Sequence, residues 1–512
     1  MAKLYEYQGK ELLKKGGILI PKGGRAKTKE EAKKIAEEIG KPVALKAQVW
    51  VTGRAKAGGV RFAQDPADAV NIASQIFGRD IKGFKVNEIL VEEKLDINRE
   101  FYLGMIINEV SKCPLIIFSA VGGTDIEEIA IKYPKQISRF PIDIAEGLRD
   151  YMARNILIKL DIRDQLQQQL SDIMVKFYGV CRTYEARTAE INPIVLTKQG
   201  LIIAADCHIA IDDYAVFRHP ELPIDIAREF DRPPTELEKV AYQVEANDHR
   251  GTFYFLQMQQ EIEPRSGYVG FHGAGGGGSM MSMDAILKQG FQIANYCDTS
   301  GNPSASKVYR AAKIILSQKN IDAYFASGSG VASQEQFNSA RGFVKAFREV
   351  PLDIPAVIRI GGNSEEIAID ILHTYTKDLR GKVEAYGRDT SAAFCAKRLR
   401  ALVDQWDYTR KEVLFEKIKN KAKIYSYSFD TISGKILINH EMCKTCFDKP
   451  CIKSCKANIL KLEDEVPILN FTAQEVKRGR CTECLACELA CEFHGNKALF
   501  IDLPIPGLDN TI

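Results

Sequence analysis

The spacing of apolar and polar positions divides the chain into three stretches: an N-terminal half of mixed helices and strands, a middle of alternating strands and helices, and a tail with neither rhythm. Apolar residues recur near every 3.6 positions over 5–15 and 29–39, which predicts two amphipathic helices. Thr28 is the N-cap of the second, with Glu31 three residues on in a capping box. The run Ile18-Leu19-Ile20 predicts a short strand between them. A buried strand is expected over 42–48, followed by a glycine-rich turn and a strand at Val60-Arg61-Phe62. A helix over 66–77 leads to strand-like stretches at 88–93, 100–107 and 114–121. Helices are predicted over 142–152 and 163–180, and a hairpin over 188–205 around Lys198-Gln199-Gly200.

Residues 220–234 hold four prolines and predict a linker. From Ser266 onward, strand and helix patterns alternate four times, with strands at 267–271, 293–297, 323–326 and 356–360. Their helices are expected at 283–288, 306–318, 334–349 and 365–373. Such βα units imply a parallel, doubly wound sheet. A charged, helix-rich bridge follows. The expected domains are therefore 1–225, a linker 226–262, an α/β domain 263–385, a helical bridge 386–425 and a tail 426–512.

Composition changes this picture little. A chain of 512 residues has room for three or four domains. Hydrophobic residues at 45% and charged residues at 27% suit a soluble globular protein. A net charge of +3 is too small to argue for nucleic acid or an anionic membrane surface. No apolar run is long enough to span a bilayer. Met1-Ala2-Lys3-Leu4-Tyr5-Glu6 lacks the apolar core of a signal peptide, so a cytoplasmic location is expected.

Cysteine changes it a great deal. Eight of the 13 cysteines lie between Cys443 and Cys491. They form Cys443-x2-Cys446-x4-Cys451-x3-Cys455 and Cys481-x2-Cys484-x2-Cys487-x3-Cys491. The second run has the spacing of bacterial two-cluster ferredoxins, in which the fourth cysteine ligates the other cluster. The first run differs by its longer central gap. On that pattern Cys443, Cys446, Cys451 and Cys491 hold one [4Fe-4S] cluster, and Cys481, Cys484, Cys487 and Cys455 hold the second. Paired zinc sites would also use Cys-x2-Cys, but the second run packs its thiolates too regularly for a usual zinc module. A disulfide framework needs an oxidising compartment, to which nothing in the chain points. The remaining cysteines, Cys113, Cys181, Cys207, Cys297 and Cys395, are scattered and are expected to be plain thiols. Neither run ends in Cys-Pro; Lys456 and Glu492 follow instead. The tail resembles the ferredoxin-like electron-transfer subunits of multi-component reductases, where such variants occur. Oxygen-sensitive clusters also suggest an anaerobic or microaerophilic setting.

In the N-terminal half, Gly53, Arg54, Lys56, Gly58 and Gly59 form a glycine-rich loop with two cations. Bare backbone N–H groups and cations suit phosphates, although a plain hairpin turn fits the same residues. Lys46 sits mid-strand, where an unpaired ammonium is costly; a snorkelling lysine is the plainer alternative. Glu190 and Asn192, with Asp206 across the hairpin, offer hard oxygen ligands of the kind Mg²⁺ uses beside nucleotide phosphates. A polar outer face of the hairpin would look similar.

Leu45-Lys46-Ala47-Gln48-Val49, Gly53–Val60, Ile89-Leu90-Val91-Glu92, Arg99–Gly104 and Glu190-Ile191-Asn192-Pro193 together resemble the β subunit of succinyl-CoA synthetase, an ATP-grasp protein. The resemblance begins at residue 1, where Tyr5-Glu6-Tyr7-Gln8 is similar to the family's opening signature, and runs to about residue 385. It implies an α/β and α+β multidomain architecture: an ATP-grasp domain, then a flavodoxin-like parallel α/β CoA-ligase domain, with the bacterial-ferredoxin-like tail behind. It implies that Lys46 and the 53–59 loop contact the phosphates of ATP or GTP. Glu92 and Glu100 would hold the adenine–ribose side, and Asn192 and Asp206 would hold Mg²⁺ with Glu190 close by.

In the middle domain, Phe271-His272-Gly273-Ala274-Gly275-Gly276-Gly277-Gly278-Ser279 follows a strand and precedes a helix, which makes a backbone anion nest. Gly328-Ser329-Gly330 repeats that placement two units later, again where open α/β sheets bind ligands. In the resembling family, which includes ATP-citrate lyase and citryl-CoA synthetase, the carboxylate substrate lies between these loops. His272, Gly273, Ala274, Gly275, Gly328, Ser329, Gly330 and Arg359 are the implied contacts. The run Ala294–Ser304 is similar to the citrate branch. The match departs in places: His272 replaces the usual Asn of succinate enzymes, the second loop lacks their Arg, and Arg359 stands alone where the citrate branch has two arginines. Ser119-Ala120-Val121 also lacks the acidic residue often found before Gly-Gly. Three roles stand open for His272: substrate contact, structural, or catalytic.

The resemblance implies that a carboxylate and ATP form an acyl phosphate, which passes through a histidine to CoA. That phosphohistidine and the CoA-binding Rossmann domain belong to an α-like partner, and this sequence contains neither. The expected function is the ATP-grasp subunit of a nucleoside-diphosphate-forming acyl-CoA synthetase with a ferredoxin module. Phosphoryl transfer itself needs no electrons, so a redox partner protein is expected as well. The alternative is an iron–sulfur redox protein in which nucleotide binding gates electron transfer and ligation is lost. A pure scaffold is disfavoured by the full set of nucleotide residues.

Overall fold

A computed structural model describes residues 1–508 apart from 52, 124, 125, 225, 227, 229–231, 247–251, 329, 331 and 409–424. The chain forms two compact units, Met1–Pro234 and Thr235–Ile512. Among the described residues no helix is long and apolar enough to cross a membrane.

Among the described residues the first unit contains two large antiparallel sheets and a two-stranded one, Asp80–Ile81 with Phe84–Lys85. The smaller of the two large sheets orders its strands Gly23–Ala26, Ile89–Glu93, Val43–Ala47 and Val60–Ala63. Helices Lys29–Ile39 and Pro66–Ile76 pack on it through alanines buried at Ala32, Ala36, Ala69 and Ala73. Small residues on both helices let them approach each other and the sheet closely. Thr28 accepts from the Glu31 N–H, and Glu31 reaches back to the Lys27 N–H, one residue before the expected place. The larger sheet runs Ala2–Lys3, His208–Ile211, Ala186–Thr197, Ile97–Asn108, Cys113–Ser119 and Ile137–Pro141, with Ile202–Ala204 beside Ala186–Thr197. Its apolar face is covered by Asp164–Thr183, which buries Leu170, Met174 and Phe177.

Three expectations fail in this unit. Ile18-Leu19-Ile20 is not a strand, and the edge strand is Gly23–Ala26. Leu19 is exposed and Ile18 turns into the core with Leu13; the run follows the helix's end at Gly16 and touches the larger sheet through the Leu19 carbonyl, which accepts from the Ala204 N–H at 2.9 Å. The helix expected over 142–152 is Asp150–Ile158; Ile142 instead continues the pairing of Ile137–Pro141. His208–Ile211 was not foreseen as a separate strand.

The second unit has a six-stranded sheet ordered Tyr254–Gln257, Gln292–Asp298, Tyr268–Ala274, Ala323–Gly328, Ala356–Arg359 and Val383–Tyr386. All neighbours are parallel except the first pair. The stretch 226–262 is therefore not simply a linker. Glu236–Ala246 is a helix, and Tyr254–Gln257 is the sheet's antiparallel edge strand, burying Phe255. The bridge expected over 386–425 also changes. Its helix Ala392–Asp404 buries Cys395, Leu399 and Val403 against Val269, Phe325 and Val357, so it covers one face of this sheet. The rest of the bridge, 409–424, lies outside the described residues.

The tail folds as a three-stranded antiparallel sheet (Tyr427–Asp430, Lys435–Ile438, Leu499–Asp502), the hairpin Leu460–Glu463/Val466–Leu469, and short helices His440–Lys444, Pro450–Lys453 and Ala486–His494. It does not have a core of its own. Ile436, Ile438, Leu499 and Ile501 continue the apolar core of Phe343, Phe347 and Leu372. Lys345 fixes the junction: its ammonium lies 2.7 Å from Glu488 of the tail and 2.6 Å from Glu349, all three well shielded from water.

Candidate functional site

Six charged residues converge in the first unit. Val43–Ala47 and Ile89–Glu93 pair antiparallel with Ala44 opposite Glu92, so Lys46 and Glu92 point to the same face. The Lys46 ammonium sits 2.9 Å from Glu92 and 2.9 Å from Glu6, and donates to the Ala205 carbonyl at 2.6 Å. Lys10 lies 2.6 Å from Glu92, 2.8 Å from Glu6 and 2.8 Å from the Ala205 oxygen. Arg54 folds back from the glycine-rich loop. It binds Glu6, both oxygens of Asp206 (3.0 and 3.1 Å) and the Ala47 carbonyl (2.9 Å). The loop is thus a hairpin turn between Val43–Ala47 and Val60–Ala63, and it carries a cation inward. Gly58 has φ +76, and a Cβ on Gly59 would lie 2.8 Å from Ile81, so neither position tolerates a larger residue easily. Lys56 is exposed at the tip.

Three carboxylates balance three cations here. Burial alone would raise the Glu6 carboxyl, but Arg54, Lys10 and Lys46 hold it well below the usual range. Burial alone would lower Lys46, yet Glu6, Glu92 and Asp206 raise it. Lys46 and Arg54 are therefore fixed cations with acceptors that a more highly charged anion could displace.

Asn192 and Glu100 meet at the turn Gly122-Gly123. The Asn192 side-chain oxygen accepts from the Gly123 N–H at 3.1 Å. Gly123 has φ +80, and a Cβ there would fall 2.2 Å from a Glu100 oxygen. Pro193 accepts from the Ala205 N–H at 3.0 Å, which places Asn192 across from Asp206. Glu190 stands opposite His208 and lines a 280 Å³ cavity with Trp50 and Tyr102. Among the described residues no three His, Cys, Asp or Glu side chains already form a metal site.

Glu6 and Lys10 were missed by sequence reasoning. Their signal was legible: with Leu13 they occupy one face of the first helix, and two charges on a buried face need partners.

In the second unit, the strand Tyr268–Ala274 buries His272. Its Nδ1 lies 2.6 Å from the Tyr324 hydroxyl and its Nε2 3.4 Å from that of Thr299. Burial pushes the imidazole down to about 3, so it is neutral near pH 7. It borders a small cavity, of about 30 Å³, with Ser339, Phe343 and Arg359. A neutral ring enclosed in this way is a wall of the pocket. The geometry does not support the catalytic role.

The expected anion nest is partly filled from within. Asp298 accepts from the N–H groups of Gly275 and Ser300, each at 2.9 Å. A carboxylate at the N-terminus of Gly276–Leu287 is favourable for the same reason that a substrate carboxylate would be. Arg359 donates to the carbonyls of Thr390 (2.6 Å), Gly328 (2.8 Å) and Arg388 (3.0 Å), so it ties the Gly328–Gly330 loop to its neighbour. Ser329 lies outside the described residues.

The eight tail cysteines gather in two groups. Burial raises Cys443 to about 11, with further upward pushes from Cys491 and Cys446; Cys451 rises to about 12, from burial and then Cys491, Cys443 and Cys446. Cys481 rises to about 12 from burial, beside Cys484 and Cys455, and Cys487 rises through burial beside Cys484, Cys481 and Cys455. Each of these four thiols is thus pushed up by cysteines of its own expected quartet. In the longer gap of the first run, Lys449 takes a left-handed conformation (φ 47) and donates to the carbonyls of Cys443 and Cys446, both at 2.6 Å. The second run is pinned by buried Glu483, which accepts from Thr431 and from the backbone and hydroxyl of Ser433.

Residues 3–196 match the family model of the ATP-grasp domain, and 258–399 match that of the ATP citrate lyase citrate-binding region. Succinate–CoA ligase [GDP-forming] subunit β of Thermus thermophilus is 37% identical over 369 residues, 72% of this chain and 93% of that protein. The ADP-forming subunit β of Chloroflexus aggregans is 38% identical over 372 residues, 72% of this chain and 92% of its own. Among solved structures, ATP citrate lyase from Methanothrix soehngenii, in complex with citrate and coenzyme A, superposes with a TM-score of 0.62 at 19% identity. It covers 77% of this chain and 97% of that one, and the likeness shows the shared fold.

Proposed function

This chain belongs to the family of succinate–CoA ligase β subunits and is an acid–thiol ligase, and from that premise we propose that it activates a carboxylate with ATP or GTP and also carries two [4Fe-4S] clusters. The observation that carries the ligase reading is the Lys46–Arg54–Glu6–Glu92–Asp206 network. A bound Mg²⁺–nucleotide supplies the transferable phosphoryl group. Lys46 and Arg54 exchange carboxylate partners for phosphate oxygens and hold the charge that spreads over them. Asp206, once freed from Arg54, would hold Mg²⁺ with Asn192 and Glu190 as oxygen donors beside the phosphates; Mg²⁺ sites commonly use one or two carboxylates together with phosphates. Glu100 and Glu92 face the nucleoside. The carboxylate lies by Gly273–Gly275 and Gly328–Gly330, and an α-like partner in the cytoplasm supplies CoA and the phosphohistidine.

The cluster reading is supported by the grouping of the thiols into the two expected quartets. A cubane is larger than one ion, so its ligands stand further apart than those of a zinc site. The backbone N–H groups of Ile459 and Ala498 already point at the sulfurs of Cys455 (3.3 Å) and Cys491 (3.2 Å), as cluster ligands commonly require. A redox partner protein would exchange electrons there.

One observation favours the second reading, in which nucleotide binding gates electron transfer and ligation is lost: the cavity beside His272 is small, about 30 Å³. A single assay separates the two. The chain is co-expressed anaerobically with the α-like protein and screened with carboxylates for ADP and phosphate release that requires CoA. Turnover with at least one di- or tricarboxylate is expected. No turnover with any acid, together with nucleotide-dependent changes in cluster reduction, would establish the gating reading instead.

A further inference from the structure

The helix Phe337–Glu349 separates two sites of the second unit. Ser339 and Phe343 line the His272 cavity. Its opposite side faces the tail. There, a cavity of 550 Å³ is lined by Cys455, Cys481, Cys484 and Cys487 and, from the helix, by Phe337 and Arg341. The Arg341 guanidinium lies 4.6 Å from the Phe337 ring centroid and makes one long hydrogen bond, 3.4 Å, to Asn338. Among the described residues no carboxylate forms an ion pair with it. One turn further on, Lys345 is paired with Glu488 and Glu349. Of these two tail-facing cations, one is thus paired with acids and the other, among the described residues, is not. Burial lowers Arg341, and Cys484, Cys487 and Tyr375 draw it back up. A shielded cation without an anion is costly. A thiolate-ligated cubane is anionic, and more so when reduced.

We propose that Arg341 is the charge partner of the second cysteine quartet, a positioning residue that favours the reduced state of the cluster held there. This rests on the cluster reading above. The cation comes from the ligase body and stands on the same helix as the carboxylate pocket, so the redox site is not electrostatically independent of it.

The test is an EPR-monitored potentiometric titration of the full chain, purified anaerobically, as wild type, Arg341→Gln and Arg341→Lys. Iron and sulfide per chain are measured on the same samples. At the potential where the second cluster of the wild type is half reduced, Arg341→Gln is expected to shift the ratio about tenfold toward the oxidised form, or about 59 mV for one electron. One of the two reduction waves moves, and Arg341→Lys restores it to within about threefold. A full iron content with an unmoved midpoint in Arg341→Gln would overturn the proposal. So would a lysine variant that behaves like glutamine, because charge would then not be the cause. A wild-type chain without iron would instead remove the cluster reading, and this inference with it.

Discussion

Replacing Glu6 by glutamine is expected to lower the melting temperature of the first unit by roughly 10 °C, the shift that a loss of about 3–5 kcal/mol gives in a unit of this size. Glu6 is fully shielded and contacts Lys10, Lys46 and Arg54 at once. Its removal leaves three buried cations facing Glu92 and Asp206 alone, and an uncompensated buried charge costs more than a pair returns. The glutamine keeps the shape, so packing does not account for the loss. Trp50 and Trp406 are the two tryptophans, and Trp50 lies 5.4 Å from Tyr5, so fluorescence in a Trp406→Phe background reports this unit alone. The pH dependence follows from the direction of the shift. The Glu6 carboxyl is held well below its ordinary value, so its contribution is present above about pH 4.3 and is lost as pH falls below that. The gap between wild type and variant therefore closes on acidification. A Glu6→Gln protein that melts within about 2 °C of wild type at neutral pH would contradict this account of the network.

Substitution of Lys46 by alanine acts on activity instead. Both of its carboxylates keep a cation, Glu6 through Lys10 and Arg54 and Glu92 through Lys10, so the fold loses less than it does with Glu6→Gln. The lost ammonium is one of two fixed charges offered to phosphates. Removing one such donor from a preorganised site lowers turnover by about 10²–10³. The expected result is a fall of at least about 100-fold in nucleotide-dependent acyl-CoA formation, with the brown colour of the tail unchanged. A Lys46→Ala enzyme within about threefold of wild type would move the phosphate site elsewhere, and loss of the colour would show that the ligase and cysteine modules cannot be separated.

Residues whose local chemistry is self-sufficient were legible in the sequence. Lys29–Ile39 carries its own cap in Thr28, and the βα units from Tyr268 carry their own periodicity. Lys46 in an apolar strand demanded a partner before any partner was known. The partners themselves were not legible. Glu6 and Lys10 come from the first helix, and the Ala205 carbonyl comes from the far end of the unit. The failures elsewhere have a common cause. Ile18-Leu19-Ile20, the helix expected over 142–152, the linker and the bridge were judged by local composition, but their fates were set by surfaces that other segments left uncovered. Ala392–Asp404 became a layer of the α/β sheet because Val269, Phe325 and Val357 needed cover. The tail likewise joined a separate core, that of Phe343, Phe347 and Leu372, through Ile436 and Ile501. At the expected anion nest, the Gly275 N–H donates to Asp298, a carboxylate of the chain itself.

The central claim is that a ligase body and a two-cluster redox module share one chain. Iron and acid-labile sulfide, measured on the anaerobically purified full chain, test it most directly. The claim predicts about eight of each per chain, four for each cysteine quartet, with absorbance near 400 nm that bleaches on reduction. Stoichiometric zinc without sulfide, or eight tail thiols that titrate freely in the anaerobic protein, would contradict it.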